Sequence, residues 1–354
     1  MRMLQLQSQY ILIFSLLISL PIIFILAPRF LPPHQLPISP SDELDDLSLF
    51  NRAIYATTRS KTSFAFSRLG SKNPNLKIAF LFLTNTDLYF APLWAKFFNS
   101  TPSKFYNIYI HADPSGAVSD PGGVFSRRFI PSKHTERSSA TLISAARRLM
   151  ANAILDDPSN FYFALISQSC VPLHSFGYMY KSLFASTAPF GRPVKYKSYI
   201  EILANETTLP DRYDARGKNV MLPEVTFEQF RVGSQFFVMT KKHALMVLKE
   251  RRLWRKFRLP CINIHSCYPE EHYFPTYLSM EDPDGCTHYT LTRVNWTDSV
   301  DGHPHTYQPP EVSADLIYTL RSSNFSHDYL FARKFSPDCL KPLMDMAENV
   351  IFND

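Results

Sequence analysis

Three apolar runs separated by helix-like segments limit the fold of this chain more than any other feature of its sequence. They cover residues 77–84, 106–113 and 161–167. An unbroken apolar run of this length is typical of a strand buried on both faces, as in a parallel sheet. Helical patterns at 89–98 and 138–155 alternate with these runs. The order strand, helix, strand, helix, strand predicts a doubly wound α/β half.

The predicted sheet also indicates where a ligand would bind. Ligands of doubly wound sheets lie beyond the carboxyl ends of the strands. This rule places Thr84, Asn85, Asp113 and residues 167–169 around one crevice. The second half of the chain is less regular. There we predict strands at 234–239, 289–296 and 329–335, and helices at 243–257, after Pro269 and at 337–351.

Two adjacent carboxylates follow Pro269, and aromatic residues follow them. A turn at Pro269 would begin a helix whose first turn carries Glu270 and Glu271, where the helix dipole stabilises acidic residues. One of the two could instead point into a cleft and take a proton from a substrate hydroxyl. Ordinary helix capping and general-base catalysis both fit this segment, and Glu271 is the better candidate for the base.

Several common functional motifs are absent from the sequence. Neither a dinucleotide-binding Gly-x-Gly-x-x-Gly nor a phosphate-binding loop occurs, and only 10 of 354 residues are glycine. The net charge of +6 is dispersed, which argues against a nucleic-acid surface. The Asp-x-Asp at Asp282 and Asp284 precedes Gly285 and predicts a turn rather than a metal site. His303 and His305 lack a third ligand at convincing spacing, so we predict no bound metal.

Arg333 and Lys334 form the best basic pair, near the end of an aromatic run. In the absence of a metal, a cationic side chain is needed to stabilise a departing diphosphate, and Lys334 is our candidate. A surface lysine is the alternative interpretation. Because side chains alternate along a strand, we predict that only one of the two faces the cleft.

The N-terminus carries a second strong signal. Residues 10–27 form an uncharged stretch of 18 residues, near the lower limit for spanning a bilayer. We predict a cytoplasmic tail at 1–9, a signal anchor at 10–27, a proline-rich stem at 28–75 and a lumenal domain at 76–354. A cleaved signal peptide is the alternative to the anchor.

Glycosylation sequons and cysteines agree with a lumenal domain. Four Asn-x-Ser/Thr triplets begin at Asn99, Asn205, Asn295 and Asn324. Five cysteines allow two disulfides, but the sequence does not determine their pairing. Cys261 and Cys267 are the closest pair and could close a short loop before the acidic turn.

Five motifs resemble, in order, those of the core-2/I-branching glycosyltransferases, and most closely the plant brittle-culm-type branch. They are IYIHADP at 108–114, FYFALISQSCVPL at 161–173, VGSQFFVMTKKHA at 232–244, CYPEEHYFPTYL at 267–278 and LFARKFSP at 330–337. The resemblance implies an α/β, GT-A-like (Rossmann-like) domain behind a transmembrane helix and stem, in a single-pass type II Golgi membrane protein. It also implies an inverting enzyme that uses a UDP-sugar and needs no metal or other cofactor.

The resemblance also implies roles for individual residues. Glu271 corresponds to the catalytic base. The nucleotide-sugar would be bound by Asp113 and Lys334, and by His305 at about the place where some relatives have arginine. We add Thr84 to these residues because it lies at the predicted crevice. Since the resemblance selects Lys334, we expect Arg333 to face away from the cleft. The acceptor would be bound by Trp296, Glu201 and Arg231.

The interpretation that follows is a Golgi enzyme that transfers an N-acetylglucosamine-like sugar from a UDP-sugar to a glycan hydroxyl. Its partners would be the UDP-sugar, a glycan or glycoprotein acceptor and a membrane, with no nucleic acid. Two other classes remain open: a membrane-anchored glycan-binding protein that has lost turnover, and a metal-dependent hydrolase built on Asp282, Asp284, His303 and His305. The sequence leaves the donor sugar, the acceptor and the linkage undetermined.

Overall fold

The computed structural model describes residues 38–64, 76–184, 195–297, 299 and 302–354, together with residues 15, 17 and 19. Apart from those three positions, the predicted tail and anchor lie outside the described residues. None of the helices formed by the described residues is both long and apolar enough to cross a bilayer.

The strands of the described residues form two sheets. In chain order they are β1 Lys77–Thr84, β2 Tyr106–Ala112, β3 Asn160–Ser167, β4 Val171–Pro172, β5 Ser198–Glu201, β6 Val238–Thr240, β7 Cys286–His288, β8 Thr292–Val294 and β9 Phe331–Arg333. The larger sheet has the order β2-β1-β3-β6-β5-β7, and the smaller one has the order β4-β9-β8. β1 pairs in parallel with both β2 and β3, which confirms the predicted parallel half. β6 runs antiparallel to β3 and β5, so the larger sheet is mixed.

Helices cover both faces of the larger sheet. In chain order, those of the described residues are α1 Pro40–Phe64, α2 Ala91–Asn99, α3 Ala140–Asp156, α4 Phe176–Phe184, α5 Leu209–Tyr213, α6 Lys241–Lys249, α7 Trp254–Phe257, α8 Pro269–Glu281, α9 Ala314–Arg321 and α10 Leu340–Asp345. The predicted helices at 89–98 and 138–155 correspond to α2 and α3.

Alternate residues of β1 belong to two separate hydrophobic cores. Ala79, Leu81 and Leu83 pack with α3, α6 and α8, whereas Ile78, Phe80 and Phe82 pack with α2, α4 and α9. Both faces of this strand are therefore buried, which explains why its sequence is apolar without alternation.

Several elements of the second half differ from their predicted bounds. The helix predicted at 243–257 is divided into α6 and α7, because the Glu250 carboxylate accepts hydrogen bonds from the amides of Leu253 and Trp254. The strands predicted at 234–239, 289–296 and 329–335 shorten to the three-residue strands β6, β8 and β9. The C-terminal segment combines a 3₁₀ turn at Pro337–Cys339, α10 and a π-helical turn at Ala347–Ile351.

Part of the predicted stem is packed into the folded domain. Residues 28–75 were expected to form a proline-rich stem, but α1 runs from Pro40 to Phe64 within that range. Phe50 and Ala53 are buried in the core shared with α3. Asp46 accepts two hydrogen bonds from the Arg148 guanidinium, at 2.6 and 2.8 Å. The compact unit therefore includes this helix and begins before residue 76.

One disulfide joins Cys261 to Cys267, the pair that the sequence singled out. It closes the loop that leads directly into α8. Cys170, Cys286 and Cys339 are buried free thiols. The second disulfide that five cysteines would allow is not formed.

Candidate functional site: a cationic cleft beside an acidic helix start

A cleft of about 190 Å³ lies beyond the carboxyl ends of β1 and β3. Thr84 and Asn85 line it from the end of β1, and residues 167–169 line it from the end of β3. The end of β9, the loop before α3 and residues 235–236 complete the walls. The cleft therefore lies where the strand order predicted a crevice.

Three cationic side chains line this cleft: Arg137, Arg333 and Lys334. Within the described part of the chain, none of the three forms an ion pair with a carboxylate. The Arg333 guanidinium carbon lies 4.4 Å from the centre of the Phe236 ring. Lys334 Nζ lies 3.2 Å from His303 Nδ1, and His303 also contacts Arg137. Unpaired cations gathered in a cleft are suited to binding an anion.

The environment of Lys334 disfavours the charged state of its side chain. Burial lowers the pKa of Lys334 to about 8, and repulsion from Arg333 and Arg137 contributes in the same direction. Burial also lowers the pKa of Arg333. An anion placed between these groups would relieve their repulsion.

The prediction that Arg333 faces away from the cleft was wrong, because Arg333 and Lys334 both line it. Alternation of side chains holds only within a regular strand. β9 ends at Arg333, so Lys334 lies just outside the strand and the rule does not apply to the pair.

Asp113 directly follows β2 and is 2% exposed; it does not line the cleft itself but binds Thr135, which does. One carboxylate oxygen accepts hydrogen bonds from the amide and hydroxyl of Ser115, and the other accepts them from the amide and hydroxyl of Thr135, at 2.6–2.8 Å. Burial alone would raise the pKa of Asp113, but these hydrogen bonds hold it below its usual range. Asp113 thus ties the loop after β2 to the loop before α3, and its contact with uridine stays a prediction.

The loops after β1 and β2 also touch directly. The backbone amide of Asp113 donates to the carbonyl oxygen of Thr84 at 2.9 Å. A Cβ atom on Gly116 would lie 2.1 Å from the carbonyl oxygen of Asn85, so a larger residue would push the two loops apart. Thr84 is buried and lines the cleft.

Glu271 lies in the first turn of α8 and its side chain is 26% exposed. Its Oε2 atom accepts a hydrogen bond from Arg212 Nη1, on α5, at 2.8 Å. The Arg212 guanidinium also lies over the ring of Tyr268, at 4.9 Å. Arg212 therefore orients the carboxylate of Glu271. The sequence did not predict this contact, because Arg212 belongs to no recognisable motif and lies 59 residues before Glu271.

Gly233 brings Glu201 and Glu271 into one region. Its amide donates to the Glu271 carbonyl at 2.9 Å, and a Cβ atom on it would lie 2.0 Å from the Glu201 carbonyl oxygen. Burial raises the pKa of Glu201, and the charge of Glu271 adds to the rise, although the Ser234 amide donates to Glu201 at 2.9 Å. The charge of Glu271 also raises the pKa of Arg333, against the larger effect of burial. The carboxyl groups of Glu201 and Glu271 therefore lie within electrostatic range of each other, and neither residue lines the cleft.

The remaining residues predicted to bind the donor or the acceptor, Arg231, Trp296 and His305, do not line the cleft. The Arg231 guanidinium donates to the carbonyls of Glu228 and Phe230, at 2.7 and 2.9 Å. Trp296 is 54% exposed in the loop after β8. His305 pairs with Glu311 at 2.7 Å and does not line the cleft, whereas His303 contacts Lys334.

The four residues of the hydrolase hypothesis do not converge. Asp282 is bound by Lys242 and His243, and Asp284 lies in the predicted turn, at Pro283–Gly285. His303 and His305 contact different partners. Within the described residues, no group of three or more histidine, cysteine or acidic side chains is arranged to hold a metal ion.

The sequons differ in exposure. Asn99, Asn205 and Asn324 are exposed. Asn295 is partly buried, and its Oδ1 atom accepts a hydrogen bond from the Thr297 amide at 2.9 Å. Glycosylation of the four positions stays a prediction.

The sequence of the chain is similar to those of known proteins. A model of the Core-2/I-branching enzyme family matches residues 78–321, which include α8 and most residues of the cleft, but not Arg333 and Lys334. The chain is also 27% identical, over 323 residues, to a protein of Oryza sativa subsp. japonica named Glycosyltransferase BC10, and the match covers 77% of each chain. The chain therefore belongs to the Core-2/I-branching enzyme family and is a glycosyltransferase.

Proposed function

We propose that this enzyme is an inverting, metal-independent glycosyltransferase that transfers a sugar from a UDP-sugar to a hydroxyl of a glycan. One observation carries the proposal: three cations that form no ion pair with a carboxylate of the described residues line a strand-end cleft, and Glu271 lies within electrostatic range of one of them, Arg333. A diphosphate is the anion that such a cluster fits, and a nearby carboxylate is the base that an acceptor hydroxyl requires.

In the proposed reaction, Glu271 takes the proton from the acceptor hydroxyl as its oxygen attacks the anomeric carbon of the donor. The bond between that carbon and the diphosphate oxygen breaks, and UDP leaves with the electron pair. Attack from the face opposite UDP inverts the anomeric configuration. Arg137, Arg333 and Lys334 stabilise the charge that develops on the leaving diphosphate.

The finer parts of the proposal rest on sequence. A donor related to UDP-N-acetylglucosamine follows from the family, as do Trp296, Glu201 and Arg231 as acceptor-side residues. A type II Golgi location follows from the uncharged stretch at 10–27 and the four sequons. His305 is not included among the diphosphate-binding residues, because Glu311 pairs with it.

The test is a screen of the purified full chain against a panel of UDP-sugars, with glycan acceptors and with EDTA present, in which UDP release is measured. We expect release with at least one donor, increased by acceptor and retained in EDTA. Glycan binding without UDP release would instead support the inactive glycan-binding protein. Activity that disappears in EDTA and returns with manganese would contradict metal independence.

A further inference from the structure

The two adjacent glutamates of α8 have opposite surroundings. Glu271 is partly exposed and paired with Arg212, whereas Glu270 is 4% exposed. Successive helix residues point about 100° apart, so the carboxyl of Glu271 reaches Arg212 while that of Glu270 enters the protein. The proposed reaction uses only Glu271, which leaves the role of the buried Glu270 unexplained.

The contacts of Glu270 favour an uncharged side chain. Its Oε1 atom accepts a hydrogen bond from the Ser138 amide at 3.2 Å, and its buried Oε2 atom has no hydrogen-bond partner within the described part of the chain. Burial raises the pKa of Glu270 to about 8, and the neighbouring Glu271 adds to the rise. Arg216 is also buried and lies within electrostatic range, but no ion pair between described residues joins it to Glu270. Glu270 is therefore mainly protonated at neutral pH.

Ser138 belongs to a segment that forms one wall of the cleft. Residues 135–137 line the cleft, and Ser139 caps α3 by accepting a hydrogen bond from the Thr141 amide. Ser138 has a φ of 58°, in the left-handed region that is unfavourable for a serine. A specific contact is needed to hold this conformation, and the carboxyl of Glu270 provides one.

The segment 135–138 is held at both ends. At its start, Thr135 is bound by Asp113 through two hydrogen bonds. At its end, Ser138 is bound by Glu270. Arg137 lies between these attachments, donates to the Gly302 carbonyl at 3.2 Å and contacts His303, which reaches Lys334.

We propose that Glu270 is a positioning residue that, as an uncharged carboxyl, holds Ser138 and thereby keeps Arg137 in the cleft where the donor diphosphate binds. This inference rests on the proposed function, because it assigns the cleft to UDP. It gives the two glutamates separate tasks: Glu271 acts on the acceptor hydroxyl, and Glu270 connects the same helix to the donor side. A change at Glu270 should therefore alter donor binding before it alters the chemical step.

The experiment compares Glu270→Gln, Glu270→Met and Glu270→Ala with the wild-type full chain, using UDP as the probe in calorimetry. Gln keeps a neutral oxygen acceptor of the same length, whereas Met keeps the length and removes the acceptor. We expect Glu270→Gln to bind UDP within about twofold of the wild type, and Glu270→Met to bind about tenfold more weakly, as for a lost buried hydrogen bond. In turnover, Glu270→Met should raise the KM for the UDP-sugar and leave kcat within about threefold.

A double-mutant cycle tests whether Arg137 transmits the effect. If it does, Glu270→Met should weaken UDP binding by less than about twofold in an Arg137→Ala background, because the two changes remove one interaction. Additive effects would overturn the proposal. So would a Glu270→Gln variant that loses activity as severely as Glu271→Gln, since that would require an ionised Glu270.

Amide hydrogen exchange separates failure of this inference from failure of the proposed function. Exchange at Ser138 should accelerate in Glu270→Met and Glu270→Ala and stay unchanged in Glu270→Gln, whatever the ligand of the cleft. A wild-type chain that binds no UDP would refute the assigned function, and unchanged Ser138 exchange in Glu270→Met would refute the positioning contact. If neither Met nor Ala yields folded protein, loss of UDP binding in a folded Glu270→Gln variant overturns the proposal.

Discussion

At the scale of single residues, the site depends on how a few charged side chains are held. Glu271 is oriented by Arg212, and Lys334 lies among Arg137, Arg333 and His303. The sequence singled out Glu271 and Lys334 as candidates because both lie in recognisable motifs. It missed Arg137 and Arg212, because each is an isolated basic residue whose partner is far away along the chain.

The first residue-scale prediction concerns Glu271→Gln. If Glu271 is the general base, the variant should lose about 10²- to 10⁴-fold in transfer rate, because Gln cannot accept the acceptor proton. UDP affinity, measured by calorimetry, should stay nearly unchanged. Glu281→Gln is the matched control on the same helix. Glu281 is exposed, and its Oε1 atom pairs only with Nη2 of the exposed Arg252, at 3.7 Å, among the described residues. A Glu271→Gln variant that keeps more than half of the wild-type rate would contradict the assignment.

The second residue-scale prediction concerns pH. Lys334 is charged below its pKa of about 8 and neutral above it, so UDP binding should weaken as pH rises through that value. Between pH 7.5 and 9.5 we expect a loss of about tenfold or more, because the neutral amine cannot stabilise the diphosphate. Arg333, Arg137 and His303 lie around Lys334.

Lys334→Arg provides the control for this titration, because arginine keeps its charge up to pH 9.5. Its UDP affinity should be nearly constant over the same range. Glu270 also titrates near pH 8, so the comparison is repeated in a Glu270→Gln background. An equal loss of affinity in the wild type and in Lys334→Arg would show that another group causes the dependence.

At the scale of secondary-structure elements, the regular parts were predictable and the short ones were not. β1, β2 and β3 follow from continuous apolar runs, which is a local signal. β7, β8 and β9 have three residues each and depend on pairing with distant parts of the chain, as when β9 pairs with β4 and β8. The orientation of Arg333 was predicted wrongly for the same reason. The end of β9 is determined by its pairing with β4 and β8 and not by its own sequence.

The element-scale prediction concerns α1. Phe50 is 2% exposed, and the Arg147 guanidinium lies 4.6 Å from its ring centre, whereas Leu44 on the same helix is 67% exposed. Phe50→Ala should lower the free energy of unfolding by about 3–5 kcal/mol, because it leaves a cavity in the core. Leu44→Ala should change it by less than about 0.5 kcal/mol. Chemical denaturation measures both, and equal small effects would indicate that α1 is not packed in solution.

At the scale of the whole molecule, the two cores on either face of the larger sheet leave its strand ends open to ligands. The apolar runs in the sequence predicted that a ligand would bind at the strand ends. Both faces of β1 are covered, so only the ends of the strands remain accessible. The set of cations that line the cleft, Arg137, Arg333 and Lys334, was less predictable. It is assembled from the loop before α3 and the end of β9, which lie far apart in sequence.

The whole-molecule prediction concerns topology. If residues 10–27 anchor the chain with its C-terminal body in the lumen, the exposed Asn99, Asn205 and Asn324 should carry glycans when the protein is made in eukaryotic cells. Endoglycosidase treatment should increase its mobility on gels, and replacing the three asparagines by glutamine should remove most of that shift. The full chain should remain in membranes washed at high pH, since an uncharged stretch of 18 residues is held by the hydrophobic effect and not by ionic contacts. An N-terminus near Pro28 in the mature protein would instead indicate cleavage and secretion, whereas a membrane-bound chain without glycans would place the body on the cytoplasmic side.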